Sequence, residues 1–198
     1  MNEAELGRIM SAVAHDLRTP LTVIAGFART LERGGRLDEQ QARFLGLIFD
    51  AAADMDRMIE NVSTIGHVVS GRWVPSPAPV TTASLAAAAH EVVRQRPDRP
   101  VVLRPGADGD LATDLERAPR AIAQLAEAAL RMEPQTPAAF IEPTVDGVRV
   151  GPIGPVLMPF VADPGRDVPI EAARIVLAAL GAAIVADGNA VVVRFAAT

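Results

Sequence analysis

His15, Asp16 and Thr19 sit in the run Ala14-His15-Asp16-Leu17-Arg18-Thr19-Pro20-Leu21-Thr22, and their side chains are chemically complementary. A neutral imidazole is a nucleophile near pH 7, and an adjacent carboxylate can fix its tautomer and leave the other ring nitrogen free to attack. Thr19 falls one helical turn beyond His15, on the same helix face, with a hydroxyl within reach of whatever the ring carries. The set reads as a phosphate-accepting histidine, because in-line phosphoryl transfer asks a protein mainly for positioning and charge stabilisation. Pro20 cannot donate to the Asp16 carbonyl and its ring crowds that carbonyl, so a bend is expected just past the histidine.

Composition narrows the alternatives. The chain has 198 residues, 49% of them hydrophobic, enough for a real core in one or two domains. No run approaches the roughly 18 to 20 apolar residues that span a bilayer, and the acidic start, with Glu3 and Glu5, lacks the pattern of a secretory signal, so a cytoplasmic location and no membrane partner are expected. Cysteine is absent, which excludes disulfides and thiolate chemistry; the three histidines, His15, His67 and His90, are too far apart for a local metal motif. A net charge of −5 argues against sequence-independent nucleic-acid binding, which needs a basic surface. Protein partners are the expectation.

The elements that would position the histidine come next. Residues 1–73 read as two long helices separated by Gly34-Gly35-Arg36-Leu37, a break suited to a helix end and a chain reversal. The second helix starts with a capping box, Asp38 with Gln41 three residues on, and runs to about His67, whose charge suits a helix C-terminus. In the first helix Leu6, Met10, Val13, Leu17, Leu21, Ile24, Ala28 and Leu31 recur every three or four residues, which predicts one buried stripe. Ala42, Leu45, Phe49, Ala52, Ile59, Val62 and Ile65 do the same in the second, with Met55 and Met58 at the flanks. His15 projects away from the first stripe, beside the small residues Ser11, Thr19, Thr22 and Gly26, where another protein can approach it. Two amphipathic helices alone bury too little apolar surface, so two antiparallel hairpins are expected to pair as a homodimeric four-helix bundle.

Residues 74–80, with prolines at 75, 77 and 79, read as a linker, since the residue before each proline is kept out of helix. Residues 81–198 alternate helical and strand patterns. Helices are expected at 82–95, 115–132 and 169–180, and strands at 100–104, 138–142, 147–151, 182–186 and 190–196, a mixed α/β layer. His90 reads as an ordinary surface or boundary residue, and Arg94, Arg96, Arg99 and Arg104 as a solvated edge without assigned function.

The segment His15-Asp16-Leu17-Arg18-Thr19-Pro20-Leu21-Thr22 closely resembles the H-box of sensor histidine kinases, found in their dimerisation and histidine-phosphotransfer domain. That resemblance implies that His15 carries the phosphoryl group, Asp16 orients or deprotonates the ring, and Thr19 positions a hydrolytic water. It also implies no resident cofactor, with magnesium coming from a partner receiver domain. The order of elements in residues 81–198 is similar to a kinase ATP-binding domain, with short echoes at Val156-Leu157-Met158-Pro159-Phe160 and Leu180-Gly181-Ala182-Ala183-Ile184.

The family's nucleotide residues are largely replaced. In Gln124-Leu125-Ala126-Glu127-Ala128-Ala129-Leu130-Arg131, similar to the N-box, Gln124 and Ala128 stand where asparagines are usual, so the magnesium ligand is lost. Val150-Gly151-Pro152-Ile153-Gly154-Pro155, matching the first glycine box, lacks its adenine-binding aspartate. Gly165-Arg166-Asp167-Val168-Pro169-Ile170, matching the second, retains one glycine and places a carboxylate at the phosphate-facing turn. Few residues separate Phe160 from Gly165, leaving almost no ATP lid. An intact acceptor segment beside an eroded nucleotide site implies a histidine phosphotransferase that relays phosphate between receiver aspartates. Its partners would be response regulators and the receiver of a hybrid or sensor kinase. The competing readings are a divergent autophosphorylating histidine kinase and a non-catalytic adaptor or phosphatase-type regulator.

Overall fold

A computed structural model describes residues 2–35, 37–94, 99–154 and 167–196. The chain divides into two compact units, Met1–Trp73 and Val74–Thr198. Among the described residues no helix is long and apolar enough to cross a membrane.

The first unit is a helical hairpin of α1 (Glu3–Gly34) and α2 (Glu39–Val69). Each helix starts with a capping box, in which a side-chain oxygen and a backbone N–H satisfy each other's first-turn groups. Asp38 and Gln41 form the box of α2 and Asn2 and Glu5 that of α1; the Asn2 signal went unread in the sequence. Gly35 ends α1 in extended backbone, and α1 passes through Pro20 as one continuous helix. The second helix runs two residues beyond His67 and stops in a Schellman turn. Gly71 supplies the left-handed conformation at φ 68°, while the Gly71 and Arg72 N–H groups donate to the Val68 and His67 carbonyls.

The seam between the two helices differs from the predicted stripe. Gly7, Ala14, Leu21 and Ala28 of α1 are buried against α2, where Leu45, Ala52, Ile59 and Gly66 repeat the same sevenfold spacing. Leu6, Val13, Leu17, Ile24 and Leu31, expected to be buried, form a neighbouring row that a single chain leaves exposed. The selection is steric. A Cβ on Gly7 would stand 2.7 Å from the Gly66 carbonyl oxygen, so the helices meet at backbone contact, which only the smallest residues permit.

The second unit begins earlier than the linker reading placed it. Ala78–Thr81 is strand β1, paired antiparallel with an unpredicted β3 (Asp110–Thr113); Pro79 is tolerated because a two-stranded ribbon has only edge strands. Helix α3 (Thr82–Val93) follows β1 directly and is capped by the Thr81 hydroxyl. After it come β2 (Val101–Leu103), β3, α4 (Arg117–Met132), β4 (Ala139–Thr144), β5 (Gly147–Gly151), α5 (Val168–Ala179), β6 (Ala182–Asp187) and β7 (Ala190–Phe195). The main sheet has the order β2-β4-β5-β7-β6, with β2 parallel to β4 and the other pairs antiparallel. Its register aligns Ile141 with Val150 and Val148 with Val193, fully buried residues of the side that α3, α4 and α5 cover. The alternate row carries ion pairs, with Arg149 Nε 2.9 Å from Asp187 Oδ2 and its guanidinium facing Glu142.

Two arginines left without a role have structural ones. The Arg99 guanidinium donates to the carbonyls of Leu130, Glu133, Pro134 and Thr136, closing the C-terminal end of α4 where carbonyls lack helical partners. Arg104 stacks on the Phe140 ring, 3.8 Å from its centroid. His90 is half-buried with its Nε2 2.9 Å from the Val101 carbonyl oxygen.

Candidate functional site

Helix α1 presents His15 one residue beyond Ala14, which is locked in the seam, so helical periodicity turns the imidazole outward. The side chain is 82% exposed and that of Asp16 83%. The Nδ1 atom of His15 stands 3.3 Å from the Asp16 Oδ1. A carboxylate only accepts, so this contact selects the tautomer with hydrogen on Nδ1 and leaves the Nε2 lone pair facing solvent. Exposure on this scale keeps the contact's contribution to stability under about 1 kcal/mol; its effect is orientation. Thr19 is exposed one turn further along α1. The three sequence candidates therefore share one accessible surface.

A groove of about 800 Å³ opens one turn below the imidazole, between α1 and α2. Arg18, Thr22, Arg29 and Arg33 line it from α1, and Phe49, Ala53 and Asp56 from α2, over a floor that includes Leu21 and Ala52 of the seam. Arg18 Nε lies 3.6 Å from Asp56 Oδ1, tying the helices together at the groove's upper end, and the Thr22 hydroxyl donates to the Arg18 carbonyl at 2.8 Å. Sequence reasoning missed the groove and the Arg18–Asp56 pair. Asp56 is far from Arg18 along the chain, and only the hairpin's register brings them together.

In the second unit the nucleotide-box counterparts carry other roles. Ala128 is fully buried inside α4. A Cβ on Gly151 would meet the Phe140 ring at 2.8 Å, so this glycine serves close packing. Asp167 caps α5, its Oδ1 accepting the Ile170 N–H at 3.0 Å while Oδ2 takes Arg131 of α4 at 2.6 Å. A carboxylate of the chain itself thus occupies a helix N-terminus of the kind that binds anions. Pro155, the segment Val156–Phe160, Gly165 and Arg166, including the shortened lid, lie outside the described residues. Among the described residues no group of three or more His, Cys, Asp or Glu side chains is placed to hold a metal ion.

Residues 5–68 match the model of the His Kinase A (phospho-acceptor) domain. The second unit and the chain as a whole share their fold with histidine kinases of known structure. Full-length ShkA in complex with AMPPNP superposes with a TM-score of 0.67 at 18% identity, over 96% of this chain and 47% of that one. AdeS of Acinetobacter baumannii gives 0.58 at 16% identity, over 90% of this chain and 94% of that one. Over residues 5–68 the chain is therefore similar to the phospho-acceptor domain of histidine kinases, and the unit that follows has a kinase-like fold.

Among particular relatives, the circadian input-output histidine kinase CikA of Synechococcus elongatus is 28% identical over 85 residues, 42% of this chain and 11% of CikA. The sensor protein kinase PilS of Pseudomonas aeruginosa is 37% identical over 62 residues, 31% of this chain and 12% of PilS. The chain spans only a small part of the length of these two relatives.

Proposed function

We propose that the protein is a histidine phosphotransferase of two-component signalling, relaying a phosphoryl group between receiver aspartates through His15. The observation that carries this reading is the outward His15 ring, with Nδ1 held by Asp16 and an open groove directly below it. A receiver seated along the groove would bring its aspartyl phosphate to Nε2. The Nε2 lone pair then forms the P–N bond as the P–O bond to the receiver aspartate breaks, and the aspartate leaves as a carboxylate. The ring's positive charge is balanced by Asp16, and the reverse step loads a second receiver. Thr19 would orient a water for hydrolysis, and magnesium would arrive with the receiver.

The second unit supports a relay over a kinase, because Ala128 and Asp167 replace groups that would meet magnesium and triphosphate. The chain would act as a homodimer. The exposed apolar row Leu6, Val13, Leu17, Ile24 and Leu31 of α1, with Phe44, Leu47, Ile48, Met55 and Met58 of α2, is what a second hairpin would cover.

The test incubates purified protein either with phosphorylated receivers or with labelled ATP. Acid-labile label on His15 from a receiver, and none from ATP, supports the relay. Label from ATP alone makes the chain a divergent kinase, since ShkA, of the same fold, was crystallised with a nucleotide analogue. A His15→Ala variant with full effect on a response regulator's output makes it an adaptor.

A further inference from the structure

The connection between the two units is tied down from both sides by bonds internal to each. On the first side the Schellman turn does not end at Arg72, for the Trp73 N–H also donates to the His67 carbonyl at 3.2 Å, extending the ordered end of α2 to residue 73. On the other side the Ser76 N–H donates to Asp114 Oδ2 at 3.2 Å, before β1 has begun. Asp114 is itself anchored. It is 6% exposed, and its Oδ1 accepts the N–H groups of Glu116 and Arg117 at 3.0 Å each, at the start of α4. Its position directly after β3 makes the Ser76 contact an extension of the β1–β3 ribbon. Among the described residues no hydrogen bond holds Val74 or Pro75.

We infer that Asp114 is a strap that shortens the hinge between the units to Val74 and Pro75. Few soft torsions remain in such a hinge. Pro75 has its φ fixed by its ring, and Val74, preceding a proline, is held to extended backbone. The stretch without hydrogen bonds between α2 and β1 is thereby limited to Val74 and Pro75. Burial opposes the charge on Asp114, yet the three backbone donors and Arg117 outweigh it and hold the carboxyl below its usual range, so the strap is ionised at neutral pH. This inference concerns the hinge and stands whether or not His15 accepts phosphate.

Amide hydrogen exchange on the intact chain tests it. The Ser76 amide should exchange about tenfold or more slowly than the Val74 amide, the protection expected of a bond to a charged acceptor. An Asp114→Asn variant keeps an oxygen for Glu116 and Arg117 but turns a donor toward Ser76. In it Ser76 should exchange as Val74 does, while α4 amides should keep their protection. Equal exchange of Ser76 and Val74 in the wild type overturns the strap, as does an Asp114→Asn protein with unchanged Ser76 exchange. The wild-type measurement decides the question if the variant does not fold. Phosphotransfer from a receiver, assayed on the same samples, reports separately on His15.

Discussion

The two units handle polar and apolar surface in opposite ways. The hairpin seals only a thin seam and leaves two rows of large apolar side chains and the His15 imidazole facing solvent. The α/β unit has a closed core, with Leu85, Ile122, Leu125, Ile141 and Leu177 fully buried, and it spends its charged groups on itself. Arg99 closes α4, Asp114 accepts the N–H groups of Glu116 and Arg117, Asp167 caps α5, and Arg149 lies among carboxylates. A surface with unfinished apolar rows and an exposed imidazole is suited to meeting other proteins. One whose charged groups mostly pair within it is built to persist as a scaffold.

The contrast can be broken most sharply at the nucleophile. His15→Ala should lower phosphate acceptance from a phosphorylated receiver at least about 1,000-fold, as removal of a covalent nucleophile does elsewhere. Ala128→Asn, inside the second unit, should leave that transfer unchanged. Quantitative phosphotransfer with both variants checks the pair, and an equal loss in the two would erase the distinction.

Assembly comes next. Leu17 is 47% exposed in a single chain, and Leu17→Asp should convert a dimer to a monomer in light scattering at micromolar concentration, because an unpaired charge is costly to bury. The matching change on the second unit, Val185→Asp at an exposed site of β6, should leave the mass unaltered.

Packing separates the units on a smaller scale. A Cβ at Gly66 would stand 2.7 Å from the Gly7 carbonyl oxygen, so Gly66→Ala should destabilise the hairpin by about 1–3 kcal/mol, read from chemical denaturation followed by probes in each unit. The second unit's transition should not move.

The smallest effect is one of pH. Asp114 is held below the ordinary carboxylate value of 3.8 in the folded state. Its contribution is therefore complete above that value and lost as pH falls through the lower, folded one. Stability of the second unit should decline with acid in that window, and Asp114→Asn should flatten this part of the profile.

Much of the hairpin was legible because its signals are local. The Asp38–Gln41 box spans one turn, and the side of α1 carrying His15 follows from residue spacing alone. The stripe was only partly resolved by spacing: Leu21, Ala28, Leu45, Ala52 and Ile59 are buried in the single hairpin, whereas other members are exposed in it. Leu6, Val13 and Leu17 satisfy the helical period as well as Gly7 and Ala14 do, and periodicity cannot weigh two adjacent rows against each other. Residues 78–80 of the proline stretch fall in β1 instead for a related reason, since proline excludes helix but permits an edge strand when a partner such as β3 is available.

By itself the sequence determined the long helices, their starts, the outward imidazole and its carboxylate neighbour, all governed by interactions within a turn or two of the chain. Tertiary structure decided which row became the seam, because close approach at Gly7 and Gly66 is a property of two helices together. It also decided the Arg18–Asp56 tie, the Arg99 closure of α4 and the Ser76–Asp114 strap. Each joins groups distant in sequence, and nothing in a residue's own neighbourhood names a partner that only folding brings within hydrogen-bond range.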